Sequence, residues 1–456
     1  MVADLLRQFN SLRDERRSLI AKALDSSTGS GGALIPQHLE DTITNAVVRL
    51  SPEIAMINPK FDSQKYHEFN RLTALPASGG AMGENATTPT YSSTYVRDGV
   101  NLRIIRRKGA VTNFLKDTSA KYVDAAASEM ENHLLAHAYD IIHYCINGNN
   151  DANTYEPSGI EHFIATTRVN NAQGGVVPTD LSFLDDMIDE YIIRQGQNHK
   201  KALLMSPKML SKVSKLLTNV RLNQGMNGLG TVEINGGWRL NAYRDIPIIP
   251  TAVLRPTSTM TAVSLSEGAG TIAAAAWYFR VAPVTVLGEQ LASAEATITT
   301  SGGSSSIALT WTAFSGAIKY RIYAGSASGA TFLVREISAF TYDGNGTITG
   351  VVTGTTFTST PTTPNGTVTA AKALDRPLVA TGGVAPESVI LWDLDDFQGM
   401  GKFAYTNQGG SKFNGLVTVD PLAITDDNVP FMIKTYGALV PAFEATSAIT
   451  RNLRVA

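Results

Sequence analysis

His133 and His137 stand one helical turn apart in the run HLLAH, with Glu129 a turn earlier, a spacing that could hold a divalent cation. Zinc hydrolysis needs more. The H-E-x-x-H arrangement sets a glutamate base beside the first histidine, and Leu134 occupies that place here. The two imidazoles therefore read as solvated or interface histidines. Asp393, Asp395 and Asp396 form a carboxylate group, but Phe397 and Gln398 fall at the fifth and sixth positions of an EF-hand loop. GMNGLG (residues 225–230) lacks both the G-x-G-x-x-G order and a Walker lysine. No G-x-S-x-G elbow occurs, and the one cysteine, Cys145, lies among apolar residues. The residue types of catalysis are present without its patterns, so no catalytic, cofactor or metal site is expected.

The remaining charged constellation is a basic strip, Arg103, Arg106, Arg107 and Lys108. It could meet nucleic acid. An acidic partner, Glu129 or Glu131 on an adjacent subunit's helix, is the more economical reading, so these six are the candidate inter-subunit contacts.

The element that must position them runs from Ser119 to Ile146. Val123, Ala126, Ala127, Met130, Leu134, Ala138, Ile141, Ile142 and Cys145 recur at three- and four-residue intervals, the apolar face of a helix roughly 42 Å long. Asp117, Thr118 and Ser119 offer N-cap oxygens, Asp124 suits the positive N-terminal end, and Asn147-Gly148 is a stop. Polar residues on its other face, Ser128, Glu131 and Asn132 among them, predict a helix laid across a sheet. Val123, Met130, Leu134 and Ile141 are expected to carry its packing.

The chain has 456 residues, 43% hydrophobic and 17% charged, with a formal net charge of -2. That is enough for two or three domains with real cores, and it excludes an overall bias towards polyanions. A single cysteine rules out a disulfide framework within the chain and fits a reducing compartment. Neither a signal peptide nor a transmembrane-length apolar run is evident.

Residues 3–25 read as an amphipathic helix and Ser26–Gly32 as a flexible joint, followed by a helical face through Leu39, Ile43, Val47 and Leu50. Residues 60–115 read as a long hairpin with a glycine-rich tip at 77–90. So few large apolar residues cannot bury it, so it needs another subunit to lie on. Beyond the long helix come a helix at Leu181–Gln195, and a buried strand at Ala202–Met205 turned by Ser206-Pro207 into a helix. A small hairpin and a bulky strand follow within Gly236–Leu254. From Pro256 to about Lys372 charge thins, and short alternating strands recur between glycine-rich turns. The earlier style resumes at VILWDLDDF (Val389–Phe397) and in the extended segments of Phe431–Arg454, so 256–372 reads as an inserted β-sandwich. Trp277, Phe279, Trp311, Tyr320 and Tyr323 are its expected core.

The order of these elements resembles the major capsid proteins of tailed bacteriophages, the Hong Kong 97 fold. The resemblance rests on ALIPQHLEDTITNAVV, the arm ending in VTNFLKDTS, the helix ending INGN, LLMSPKML, RDIPIIPTAVL and ESVILWDLDDF. It covers roughly three quarters of the chain. It implies an α+β fold with an N-terminal helix and arm at 1–59, an E-loop hairpin at 60–115 and a P domain with the spine helix at 116–178. The A domain would occupy 179–255 and 373–425, interrupted by the insertion, with the P domain's last strands at 426–456. The insertion resembles fibronectin type III or Ig-like domains in permuted order, because YFRVAPVTVLGE, which looks like late strands, precedes IALTWTAFSGAIKYRIY. A Met1 start with about thirty residues before Gly31 favours scaffolding supplied as a separate protein.

Those resemblances imply a self-assembling shell of pentamers and hexamers enclosing double-stranded DNA without sequence-specific contacts. Separate scaffolding, portal and decoration proteins are implied partners, and no membrane. The shell would be a virion component assembled in the bacterial host cytoplasm, with the insertion on its outer surface for bracing or display. An encapsulin-like compartment and a surface adhesin are the alternatives. The long arm favours a shell, since an adhesin has no use for an unpaired hairpin.

Overall fold

The computed structural model describes residues 53–455, except 54–55, 78–80, 82–83, 85–86, 88–89, 120–123, 165–167, 196–199, 225–229, 235–237, 255, 303, 362–375, 381–383, 398, 407–415 and 424–426. The helices expected before residue 52 and the packing residue Val123 lie outside the described residues.

The spine helix spans Ala125–Asn147. It starts six residues later than periodicity suggests because Asp124, not Asp117, Thr118 or Ser119, is its N-cap. The Asp124 carboxylate accepts from Ala126 N at 3.0 Å and Ala127 N at 3.1 Å, satisfying two orphaned amides. Asn113–Ser119 forms a short helix of its own. At the other end Gly148 N donates to Tyr144 O, the stop that Asn147-Gly148 announced. From His137 to Asn147 the helix is almost wholly buried, whereas its first half is half-exposed.

One flank of the spine is a five-stranded sheet centred on Asn428–Leu439. Arg103–Thr112 pairs along one edge of that strand, and Thr418–Pro421 and Lys402–Tyr405 share the other; Asn58–Phe61 adds parallel to the last. Alternation along Arg103–Thr112 turns Ile105, Arg107, Gly109 and Val111 to the helix and Ile104, Arg106 and Lys108 to solvent. Gly109 is needed for close approach, since a Cβ there would stand 2.4 Å from the Phe431 ring. The hairpin expected over 60–115 is shorter: only Tyr66–Ala74 and Thr94–Asn101 pair, and the strand after them leaves for the five-stranded sheet. A strand with one apolar face is buried better on the spine than in a free arm.

The other flank is a seven-stranded mixed sheet in the order Val169–Val176, Ala448–Arg454, Pro386–Asp393, Lys201–Met205, Ile246–Pro250, Trp238–Tyr243, Gly230–Ile234. Pro386–Asp393 is buried along its whole length, which explains the unbroken apolar run VILW. Its two faces meet two cores. Ile390, Trp392 and Leu204 pack with Ile141, Ile142 and Ile146 of the spine, and Met130 and Leu134 join from the half-buried end. Leu391 and Leu203 pack against Met187, Tyr191, Met209 and Val213 of the helices Ser182–Gln195 and Pro207–Gln224. Ser206 sits at the start of the second helix, accepting from Met209 N at 3.1 Å. The last strand, Ala448–Arg454, lies in this sheet beside Pro386–Asp393, so residues 426–456 divide between the two sheets rather than staying in one unit.

Between Pro256 and Phe357, two sheets face each other across a core of Trp277, Phe279, Val281, Ile307, Leu309, Trp311, Tyr320 and Ile322. Ser264–Ile272, Ser305–Thr310 and Gly354–Phe357 make one; Ala276–Thr285, Ala317–Gly325 and Phe332–Ser338, with two short strands, make the other. Tyr323 departs from expectation. Alternation carries it to the opposite face of Ala317–Gly325, together with Lys319 and Arg321, and that face is buried too.

Ile141 has no solvent exposure and sits where the spine meets both sheets. Ile141→Asp is expected to lower unfolding free energy by more than about 3 kcal/mol, since an unpaired carboxylate enters an apolar site. Denaturant titration checks it, and a wild-type midpoint would refute the packing described.

Candidate assembly interfaces

The hairpin is held only at its root. Phe69 and Val100 pack on Leu102, Ala404, Ala438 and Val440, and Arg71 Nη2 donates to Pro441 O at 2.9 Å. Farther out, Leu72, Leu75, Tyr95 and Val96 are exposed. Two ion pairs, Arg71–Asp98 and Arg97–Glu68, cross the strands at 3.4 and 3.6 Å and add little at such exposure. This is a largely exposed two-stranded ribbon whose outer apolar side chains have no cover among the described residues.

The basic strip splits by strand alternation. Arg107 faces the spine and grips Asp140 bidentately, Nη2 to Oδ1 at 2.7 Å and Nε to Oδ2. That hydrogen bonding, against the effect of burial, holds the guanidinium's pKa above its ordinary value. Arg103 Nη2 donates to Asn150 Oδ1 at 2.6 Å. Arg106 and Lys108 face solvent. Glu129 lies 3.2 Å from His133 on its own helix, and Glu131 is exposed. Within the subunit the strip's acidic partner is thus Asp140, which sequence reasoning did not single out. Its spacing from the apolar stripe, one residue before Ile141, was the available signal.

The two histidines do not converge. His137 Nε2 lies 2.9 Å from Thr435 Oγ1, and burial, with Arg107 nearby, drops its pKa to about 4, so it is neutral. His133 stacks edge-on against Phe431. Among the described residues no group of three His, Cys, Asp or Glu side chains could hold a metal ion. Cys145 is buried, and burial pushes its thiol far up, so it is no nucleophile.

A buried cluster of charge lies where the two facing sheets of residues 256–357 meet the spine's C-terminal end. Lys319 reaches out of the insertion and donates to the carbonyl of Asn147, the spine's last residue, a cation on the negative end of the helix. Glu156 and Glu336 lie 3.9 and 3.7 Å from its ammonium. Arg321 binds three carboxylates: Glu161 at 2.6 Å, Glu289 at 2.5 Å and Glu336 at 2.5 Å. Arg451 of the C-terminal strand shares Glu289 with it, and Tyr323 Oη donates to Glu289 at 2.7 Å. All three cations are buried. Burial alone would raise the Glu336 carboxyl, but Lys319 and Arg321 beside it pull it down from 4.5 to about 2. Burial likewise opposes ionisation of Glu289, and Arg451 and Arg321 prevail. His143 beneath them is neutral, driven to about 3 by burial and by the same two cations of the insertion. The sequence hid this cluster because its members come from five separated segments.

The family model of the SU10 major capsid protein matches residues 22–255. The chain belongs to that family, and its role is to form a capsid shell, making it a virion component, as the order of its elements implied. No curated protein matches the chain. Among solved structures, one of Gordonia phage Cozz is similar at 11% identity over 94% of this chain and 97% of that one, with a TM-score of 0.46. The capsid of an empty GTA particle is similar at 10% identity over 95% and 99%, also at 0.46. The SrpI encapsulin of Synechococcus elongatus PCC 7942 is similar at 11% identity over 91% and 92%, at 0.44. Among the described residues no helix is long and apolar enough to cross a membrane.

Removing one partner of the buried cluster leaves charges without counter-ions. Arg321→Met is expected to cost about 3–5 kcal/mol. The sign with pH follows from depressed carboxyls: the stability they lend is complete above about 4.5 and is lost as pH falls towards about 2. Thermal melts from pH 6 down to 2 should show the insertion's seat failing in that window, and Glu336→Gln should flatten the dependence.

Proposed function

We propose that copies of this chain form the pentamers and hexamers of a closed icosahedral shell around double-stranded DNA, in the Hong Kong 97 arrangement. The observation that carries it is the hairpin, whose apolar residues outside the root have nothing to rest on among the described residues. Laid over a neighbour, it would bury them and tie adjacent subunits. The solvent-facing Arg106 and Lys108 are the members of the basic strip left for contacts between subunits, with Glu131 a candidate partner, and the genome is held without base-specific contacts. Assembly in the host cytoplasm, with separate scaffolding, portal and decoration proteins and without catalysis by this chain, completes the reading.

Residues 256–372 are read as an Ig-like or fibronectin III-like module in permuted strand order. The two facing sheets and their aromatic core support this. Its role is bracing from the outer surface rather than free display, because its strand Ala317–Gly325 is buried on both faces and Lys319 on it donates to the last carbonyl of the spine.

Deleting residues 77–90 should leave a folded subunit, judged by an unchanged melting transition, that forms no closed particles under negative-stain microscopy. Normal particles from that deletion would refute the role given to the arm.

A further inference from the structure

The hairpin meets the body through one face of its first strand. His67, Phe69 and Arg71 are the less exposed residues in the alternation along Tyr66–Ala74. Phe69 packs on the body's small apolar patch, and Arg71 reaches the Pro441 carbonyl. His67 comes first, just after the chain leaves Asn58–Phe61 and turns into the hairpin. Its Nδ1 is bonded to the Asp62 carboxylate in that turn, and its Nε2 lies 2.9 Å from Lys402 Nζ. Lys402 belongs to the five-stranded sheet, where its strand is paired on both sides, with Asn58–Phe61 and with Asn428–Leu439. The imidazole thus ties the hairpin to the fixed body.

Its two partners dictate the form of the ring. Against burial, the bonds from His67 and the Gln64 amide hold the Asp62 carboxyl below its ordinary value, so Asp62 is ionised. A carboxylate only accepts, so Nδ1 carries the ring's proton; an ammonium only donates, so Nε2 offers its lone pair. The contact with Lys402 therefore exists only while the ring is neutral. A second proton would set two donors and two positive charges against each other. Asp62 would keep hold of a charged ring, so the break falls at Lys402. The surrounding charges do not relieve it. Asp396 is taken by the Asn58 amide and lies 3.9 Å from Lys60, and Arg71 pairs with Asp98 at 3.4 Å. Val100, opposite His67 in the hairpin, is uncharged. Burial, against the pull of Asp62, already holds the Lys402 ammonium below its usual pKa.

We propose that His67 is an acid-sensitive pin, which fixes the hairpin to Lys402 while neutral and frees the root when protonated. Histidine is the residue type whose charge ordinarily changes between about pH 5 and 8. The tie is complete at the upper end of that range and is lost as pH falls. The pin is a property of the subunit. It rests on the shell reading only for its consequence, a hairpin that acid allows to be laid differently on a neighbour.

The test reads Ala438, which is 1% exposed and packs with Phe69 and Val100 at the root. Full-length chains carrying Ala438→Cys are treated with dithiodipyridine from about pH 8 to about pH 5; the native Cys145 is buried and stays silent. The same chain with His67→Gln, run alongside, cancels the thiol's own dependence on pH. The ratio of the two rates is expected to rise at least about tenfold across the range, the factor supplied by losing a hydrogen bond to a charged group. Lys402→Gln removes the second cation and leaves the ring free to titrate, so it should abolish the rise. A flat ratio overturns the pin, and so does a rise that survives Lys402→Gln. The Glu336 carboxyl titrates below this window, so failure of the buried cluster does not imitate the result. Particle formation enters neither rate, so the shell reading stands or falls separately.

Discussion

The fold depends on a buried ion cluster at the C-terminal end of the spine. Three cations, Lys319, Arg321 and Arg451, meet Glu156, Glu161, Glu289 and Glu336 where the helix, the last strand and the insertion converge. Desolvating so many charges is expensive, and the geometry offsets it with shared contacts, Glu289 and Glu336 each serving two cations. Such a cluster adds little net stability over an apolar seat. It adds specificity, because any misplaced partner strands a charge in the interior. The insertion therefore cannot slide or rotate on the shell body by small steps. It is seated correctly or not at all.

This alters what an inserted module means here. Composition suggests an independent domain, and its aromatic core agrees. Yet the face bearing Lys319, Arg321 and Tyr323 is complete only with carboxylates, a carbonyl and a guanidinium supplied by the rest of the chain. Excising residues 256–372 would take Lys319 from Glu156, Arg321 from Glu161 and Glu289 from Arg451, so the rest of the subunit is not expected to be indifferent to their loss.

Much of the architecture was legible because it is written in local periodicity. The apolar stripe Met130, Leu134, Ile141 marked the spine's buried face, the run VILW marked a strand covered on both sides, and Ser206-Pro207 marked a strand-to-helix turn. What periodicity could not reveal is pairing across distance. The alternation in Arg103–Thr112 is the same whether it continues the returning arm of the hairpin or pairs with Asn428–Leu439, and only burial on the spine decides. The same limit hid Asp140 as the partner of Arg107. It also misplaced Tyr323, since a strand buried on both faces gives no sign of which aromatic belongs to which core. The start of the spine was misread because several oxygens could cap it and only the structure shows Asp124 in use.

The order of strands in the seven-stranded sheet bears on how the chain finds its fold. Lys201–Met205 is flanked by Ile246–Pro250 on one edge and Pro386–Asp393 on the other, and the whole insertion lies between those two flanking strands in sequence. Closing so long an unstructured loop is slow. The insertion's ends, however, are brought together: Leu291 N donates to Ser258 O, and Ala292 N donates to Leu378 O. Once folded, it shortens the effective loop to a few tens of residues, lowering the closure entropy by about 1 kcal/mol. Because it leaves the ribosome before Pro386, a nascent chain can fold the aromatic core of these residues while the sheet still lacks Pro386–Asp393. Residues 256–357 then serve the subunit as a folding tether.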